Sequence, residues 1–568
     1  MKRPTLLLAT FAAALAITGS ATAAGNPFGV TVVRFSPGST PAQMRAAVTA
    51  AGGVVVSDLS AIDALAVVPA SAGFDSRLAS KPLVTGLFTD TLFASDRRDD
   101  LRDDRHGDGP PADRSDVDFD PWHALFQWDD DHMNVRSAWR RTTGDRSIAV
   151  AVLDTGVDDS HRELHGIVDN TLGGNFVPCD DLRALFGLGV IDRKGLRDCR
   201  DGDFEGHGTW VASRIAGALN GFASNGVAPG VRIGSYKVLA AGFGGLSSWM
   251  LGGLIAACSD PRIDVVNMSI EGYVDPSDGA SVQDFLLFND AVDYCRRHGV
   301  PVFAAAGNEH VRVNRVAMTL AGRHLDDVGQ VSTGAEGIAL TPPGSDSLDE
   351  SDLRGGLLVP GGVPGVTMVS ATANAIGAAP ASVPLRWSSD VGARDQLAYY
   401  SNYGSRVDIS APGGARAYEL PAWDGGPGDI LAGTWGSFGP LVKNGLICKD
   451  PNQSAANNAA CFTARGDAYG WLQGTSMSTP NVVGVAALLL SARPQLVGHP
   501  AALVRRLTDS ASHAPVNFMG PSDPFNVAPA LNGIPCATGF CHLDQTHAIA
   551  FADAYGAGLV DAGAAVGH

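Results

Sequence analysis

The run Gly474-Thr475-Ser476-Met477-Ser478-Thr479-Pro480 places one serine where a tight turn meets the apolar stretch 482–490. If that stretch is a helix, its first turn offers unpaired backbone N–H groups and partial positive charge, which suits an oxyanion forming beside the serine. Pro480 is compatible with a helix entered here, since a proline near the first turn sacrifices no hydrogen bond. A serine hydroxyl is a weak nucleophile and needs a base, and the base needs a holder. Asp154-Thr155-Gly156 closes the apolar run 148–153, and Glu205-Gly206-His207-Gly208-Thr209 opens a second helix-like run, 210–219. The stretch 300–307 leads into Asn308. Together these supply an acyl-transfer set. His207 takes the serine proton, and Asp154 holds the other ring nitrogen and stabilises the imidazolium. The Asn308 amide joins the Ser476 N–H on the oxyanion.

Such groups act only if the fold delivers them to one place. Residues 148–153 form a short continuous apolar run, the pattern of a parallel strand buried on both faces. A carboxylate at the carboxyl end of such a strand sits where open α/β sheets build their sites. Strands alternating with helices beyond residue 121 imply a parallel sheet covered on both faces. Taken singly, each motif has a plainer reading: Asp-Thr-Gly and Gly-Asn as turns, His207 as a loop histidine, Ser476 as a helix cap. Their joint order is what the plain readings do not explain.

In the order Asp154, His207, Asn308, Ser476 the four motifs resemble the subtilisin-like serine proteases, or subtilases. The likeness runs over about residues 120–566 and takes in Asn225-Gly-Val-Ala-Pro229, Val265-Val-Asn-Met-Ser-Ile270, Ser401-Asn-Tyr-Gly404, Ser410-Ala-Pro-Gly413 and Tyr555-Gly-Ala-Gly-Leu559. It implies an α/β fold, a subtilisin-like parallel sheet flanked by helices, and a serine endopeptidase with Asp154, His207 and Ser476 as catalytic residues. It also implies Asn308 at the oxyanion hole and no cofactor for catalysis. By the same resemblance substrate pairs as an added strand with two edges, Gly242-Phe-Gly-Gly-Leu246 and Ser269-Ile270-Glu271, so Gly244, Gly245, Ser269 and Glu271 are substrate-binding positions. Ala305 and Gly307 match small residues lining the first specificity pocket.

The chain departs from the family at several points. The usual Ser-Leu-Gly is here Ser-Ile-Glu, and a carboxylate at Glu271 would favour basic side chains; a solvent-facing Glu271 is the plain alternative. Trp210 and Asn481 replace common histidines outside the triad. The family's calcium loop is one residue shorter at 219–225, while Glu163 holds the matching acidic position, so a structural calcium stays open. Asp198, Asp201 and Asp203 also offer hard oxygen ligands, though solvated acidic loops are the more frequent explanation of such residues. His161-Arg-Glu-Leu-His165 lacks the order of a zinc-protease helix and reads as structural.

At 568 residues the chain exceeds one small core. Residues 1–23, a basic start, a short apolar run and Ala-Thr-Ala, read as a secretory signal peptide, which makes the expected product secreted and free of the membrane. Residues 24–95 read as β-α-β-β-α-β, a small α+β ferredoxin-like unit that resembles the inhibitory propeptide of subtilases. Residues 96–120, rich in Asp, Arg, Gly and Pro, form a linker carrying the processing region. Residues 121–568 are the peptidase domain, with long insertions at about 170–204 and 310–359. The expected partners are protein or peptide substrates and the chain's own propeptide, with the enzyme a monomer.

Net charge is −18, from 59 acidic against 41 basic side chains, which argues against a nucleic-acid partner. Eight cysteines suit an oxidising compartment. Nearest-neighbour pairing would give Cys179–Cys199, Cys258–Cys295, Cys448–Cys461 and Cys536–Cys541, though the sequence leaves connectivity open. An α/β-hydrolase esterase would need G-x-S-x-G and the order Ser, Asp, His, and the chain has neither. A catalytically silent binding protein on the same scaffold is the non-enzymatic alternative.

Overall fold

The structure, a computed structural model, describes residues 28–93, 127–178, 183, 202, 203, 205–240, 244–339, 351–375, 393–398, 400–414, 434–438, 461–464, 466–513 and 549–567. The expected signal peptide, the 96–120 linker, Asp198, Asp201, Phe243 and Cys179, Cys199, Cys448, Cys536 and Cys541 lie outside them.

The N-terminal unit starts from local chemistry. Thr40 and Gln43 form a reciprocal cap, with Gln43 N–H donating to Thr40 Oγ1 and Thr40 N–H to Gln43 Oε1, and Pro41 opens the helix. The elements are β1 (Thr31–Phe35), α1 (Pro41–Ala51), β2 (Gly53–Leu59), β3 (Ala64–Pro69), α2 (Phe74–Ala79) and β4 (Val84–Thr89). They build an antiparallel sheet of order β2-β3-β1-β4. Alternation sorts its two faces. Val33, Phe35, Leu65 and Val67 meet Met44, Val48, Phe74 and Leu78 of the unit's own helices. Val32, Ala64, Ala66 and Phe88 turn the other way, into a core shared with the large unit. A further short strand, β5 (Leu92–Phe93), leaves this sheet for the large unit.

The large unit introduces β6 (Ala149–Asp154), β7 (Val168–Asn175), α3 (His207–Ala216), β8 (Arg232–Lys237), β9 (Gly245–Leu246), α4 (Ser247–Ser259), β10 (Val265–Met268), β11 (Gly272–Val274), α5 (Gly279–Arg297) and β12 (Val302–Ala305). It continues with β13 (Val313–Leu320), β14 (Arg323–Val331), β15 (Leu357–Val359), β16 (Val366–Ala375), β17 (Ala393–Leu397), β18 (Ile409–Pro412), β19 (Thr434–Phe438), β20 (Cys461–Ala464), β21 (Asp467–Leu472) and α6 (Thr475–Ala492). The main sheet runs β17-β16-β12-β10-β6-β8-β7, with β18 on β16, and is parallel except at β17.

Both faces of this sheet are buried, as the unbroken apolar runs require. Val150, Val152, Val265 and Phe303 pack with α3 and α6, while Ala149, Ala151, Leu153, Val266 and Met268 pack with α4 and α5. A Cys258–Cys295 disulfide, S–S 2.01 Å, joins α4 to α5. The α6 helix is apolar and long enough to cross a membrane, but most of it is buried as the core helix of this sheet.

The polar, Gly-rich composition of 310–359 points to a loop excursion, yet part of it is regular. The β13–β14 hairpin turns through Ala321 and Gly322, both at positive φ (45° and 81°), as a two-residue hairpin demands. With β15 and β11 it makes a second antiparallel sheet, β11-β15-β14-β13. Since β11 directly follows Glu271, this insertion buttresses the 269–271 run.

Candidate active site

Strands β6, β10 and β12 lie side by side, so the residues just past their carboxyl ends are neighbours by construction. Asp154 ends β6 and is fully buried. Its Oδ1 accepts from the Thr155 N–H at 2.7 Å and meets His207 Nδ1 at 2.7 Å. His207 is the first residue of α3. The approach needs Gly208, where a Cβ would stand 2.1 Å from the Gly156 carbonyl oxygen and 3.0 Å from Asp154 Cβ.

Asp203, by residue type a candidate cation ligand, has another task. Its Oδ1 accepts from Glu205 N–H (3.0 Å), Gly206 N–H (2.8 Å) and Thr155 Oγ1 (2.9 Å). Its Oδ2 accepts from Thr209 N–H (2.8 Å) and Thr209 Oγ1 (2.7 Å). The buried carboxylate thus caps α3 and ties it to the residue beside Asp154. The sequence signal was available: an acid four residues before His207, at a helix start.

Ser476 is the second residue of α6, entered through Gly474 at φ 148°. Its Oγ donates to the Ser269 carbonyl oxygen at 3.3 Å, and Ser269 Oγ donates to the Ser476 carbonyl oxygen at 2.8 Å. Asn308 follows β12 and Gly307, and its Oδ1 accepts from Thr475 N–H (2.8 Å) and Thr475 Oγ1 (3.0 Å). Its Nδ2 donates to Glu271 Oε1 at 2.9 Å. The neighbouring Glu309 accepts from the Asn308 N–H at 3.0 Å and from the buried Tyr273 hydroxyl. Burial, with Glu309 and Glu271 nearby, pushes the Tyr273 phenol far above its ordinary range. The structure therefore forms two connected groups at the carboxyl ends of these strands, Asp154 with His207, and Ser476 with Ser269 and, through Thr475, with Asn308 and Glu271.

Gly244 and Gly245 lie on the other edge. A Cβ on Gly245 would meet the Val238 carbonyl oxygen at 2.5 Å. β9 pairs antiparallel with β5, Leu92 opposite Leu246 and Phe93 opposite Gly245. Phe93 also covers Gly272, where a Cβ would fall 2.1 Å from its ring. The N-terminal unit thus lays a strand between both edges. Asp90 completes the contact by accepting from Ser248 N–H at 3.1 Å and from the Ser248 hydroxyl, capping α4, whose own N-cap, Leu246, has no side-chain donor or acceptor.

Of the residues considered for calcium, the two that are described, Glu163 and Asp203, are engaged by protein donors. Glu163 spends Oε1 on Tyr469 OH (3.0 Å) and Oε2 on Asn220 Nδ2 (2.7 Å), and burial pushes its carboxyl up to about 8. Asp203 is engaged by five donors, and no cluster of three or more His, Cys, Asp or Glu suited to a metal occurs among the described residues. His161 is buried with Nε2 on the Ala468 carbonyl oxygen at 3.1 Å, a structural role.

An edge of this kind belongs to the serine hydrolases built on parallel sheets. The family model described as "Subtilase family" matches residues 145–546, well over half of the chain, and the chain belongs to that family. It is 31% identical over 202 residues to the major intracellular serine protease of Bacillus subtilis, covering 35% of this chain and 55% of that protein. It is 26% identical over 349 residues to subtilisin amylosacchariticus of Bacillus subtilis subsp. amylosacchariticus, covering 61% of this chain and 56% of that protein. The chain spans little more than half the length of these relatives. In fold it is similar to the epidermin leader peptide processing serine protease of Staphylococcus aureus, TM-score 0.57 at 17% identity over 94% of this chain and 98% of that one. It is likewise similar to fervidolysin of Fervidobacterium pennivorans, TM-score 0.52 at 18% identity over 97% of this chain and 63% of that one.

Proposed function

We propose that this chain is a secreted serine endopeptidase made as a zymogen, with residues 1–23 as signal peptide, 24–95 as propeptide, 96–120 as processing linker and 121–568 as peptidase domain. Ser476 Oγ attacks a peptide carbonyl while His207 takes its proton, then returns it to the leaving amine. With Asp154 on Nδ1, Nε2 is the ring nitrogen that acts as the base. Asn308 Nδ2 and the Ser476 N–H receive the oxyanion; losing one such donor costs about 2.7–4 kcal/mol, a magnitude known from subtilisin itself. The observation that carries this reading is the 2.7 Å His207–Asp154 contact, at the strand ends where Thr475, the residue before Ser476, meets Asn308.

The zymogen reading is supported by β5 lying on β9, the place a substrate strand would take. The contact also holds a buried acid of its own: Asp284 on α5 is fully buried, and burial together with Asp90 raises its carboxyl well above the ordinary range. Such a group resists ionising while the N-terminal unit stays docked.

The purified chain and its Ser476→Ala variant, incubated with an unfolded protein, test the proposal. The parent should cleave the protein and shed its own N-terminal unit, and the variant should do neither. Equal cleavage by both would refute it.

A further inference from the structure

Glu271 is a departure from the family pattern that bonds a candidate site residue, Asn308. Its carboxylate takes the Asn308 Nδ2–H at 2.9 Å, while the far end of the same amide takes Thr475 N–H at 2.8 Å. These partners fix the amide's orientation without ambiguity. A backbone N–H only donates and so must face the oxygen, and a carboxylate oxygen at that distance demands the nitrogen. The nitrogen carries two hydrogens, one held by Glu271 and one left over. The amide also meets the residue before the serine, its Oδ1 taking the Thr475 N–H at 2.8 Å. Glu271 is itself held on a short run between β10 and β11, and β11 is clamped by β15, Gly272 opposite Val359.

We propose that Glu271 is a positioning residue for the oxyanion hole, holding one Nδ2 hydrogen of Asn308 so that the other is preorganised toward the oxyanion. The inference rests on the assignment of Ser476 as nucleophile and Asn308 as donor. A glycine at this place would leave the amide fixed from its oxygen end alone. Preorganised donors stabilise developing charge because they need no reorientation during the reaction.

The test compares kcat and KM on two peptide substrates, one with Arg and one with Leu before the cleaved bond, for the parent, Glu271→Ala, Glu271→Gln, Asn308→Ala and the double variant E271A/N308A. A fluorophosphonate titration of Ser476 in each sample counts the competent enzyme. Glu271→Ala should lower kcat about tenfold to a hundredfold with KM little changed, the size expected of a misplaced catalytic group. Glu271→Gln should stay within about threefold of the parent, because its amide oxygen accepts the same hydrogen bond. On the Asn308→Ala background the Glu271→Ala change should add almost nothing. Three results would overturn the proposal: an unchanged or raised kcat in Glu271→Ala, a full additional loss in the double variant, or a loss confined to substrates with Arg or Lys beside the cleaved bond. The last would make Glu271 a selector of basic side chains. If the parent itself fails to label at Ser476, the peptidase reading falls instead, so the two failures are distinguishable.

Discussion

At the scale of single residues, the candidate site depends on buried side chains behind it. Asp203 receives five donors, two from Thr209, one from Thr155 and the N–H groups of Glu205 and Gly206. Removing it would strand buried donors, each costing about 1–3 kcal/mol. Asp203→Ala should therefore lower unfolding stability by about 3 kcal/mol or more and depress kcat along with it. Denaturant unfolding of the variant checks this; an unchanged midpoint would show that Asp203 braces nothing. The sequence made Asp154, His207, Ser476 and Asn308 readable as candidates because each stands at a strand end or helix start with a distinctive neighbour. It left Asp203 among possible metal ligands, because a cap and a cation ligand use the same residue type and only the donor list separates them.

At the scale of elements, the helices bearing His207 and Ser476 are tied together away from those two side chains. Arg214 of α3, fully buried, meets Asp129 at 2.7 Å and donates to Asp130 and to Asn481 of α6 at 3.0 Å. Strand β21 is stapled nearby through Tyr469 and Glu163. Glu163 rises from an ordinary 4.5 to about 8 in the folded chain, so between those values the folded state binds more protons than the unfolded one. Its contribution is whole below about pH 4.5 and is lost as pH climbs toward 8, at most about 1.4 kcal/mol per pH unit. Glu163→Gln removes that loss, so its melting temperature should gain on the parent's from pH 5 toward pH 8. Parallel thermal melts would decide it; a constant offset at every pH would mean Glu163 does not titrate in that range.

At the scale of the whole molecule, the parallel sheet was legible because doubly buried strands leave continuous apolar runs, as at 148–153. The β-α-β-β-α-β order of the N-terminal unit was legible from alternation and from the Thr40 and Pro41 start. The β13–β14 hairpin was not, since the polar and Gly-rich composition of 310–359 masked the alternation along Val316, Met318 and Leu320. Nor was the placing of Glu271 against Asn308, because residues distant in sequence meet only once β10, β11 and β12 are assembled. Folding turns these scattered signals into one edge, with an N-terminal strand laid along it.

The central claim is that a carboxylate-held imidazole activates one serine at that edge. Mass spectrometry of the chain treated with a fluorophosphonate measures this most directly, run on the parent and on His207→Ala. A single adduct on Ser476 in the parent, with labelling at least about a hundredfold slower in the variant, is the expected result for loss of the general base. An adduct at another serine, or equal labelling rates in both proteins, would contradict the account.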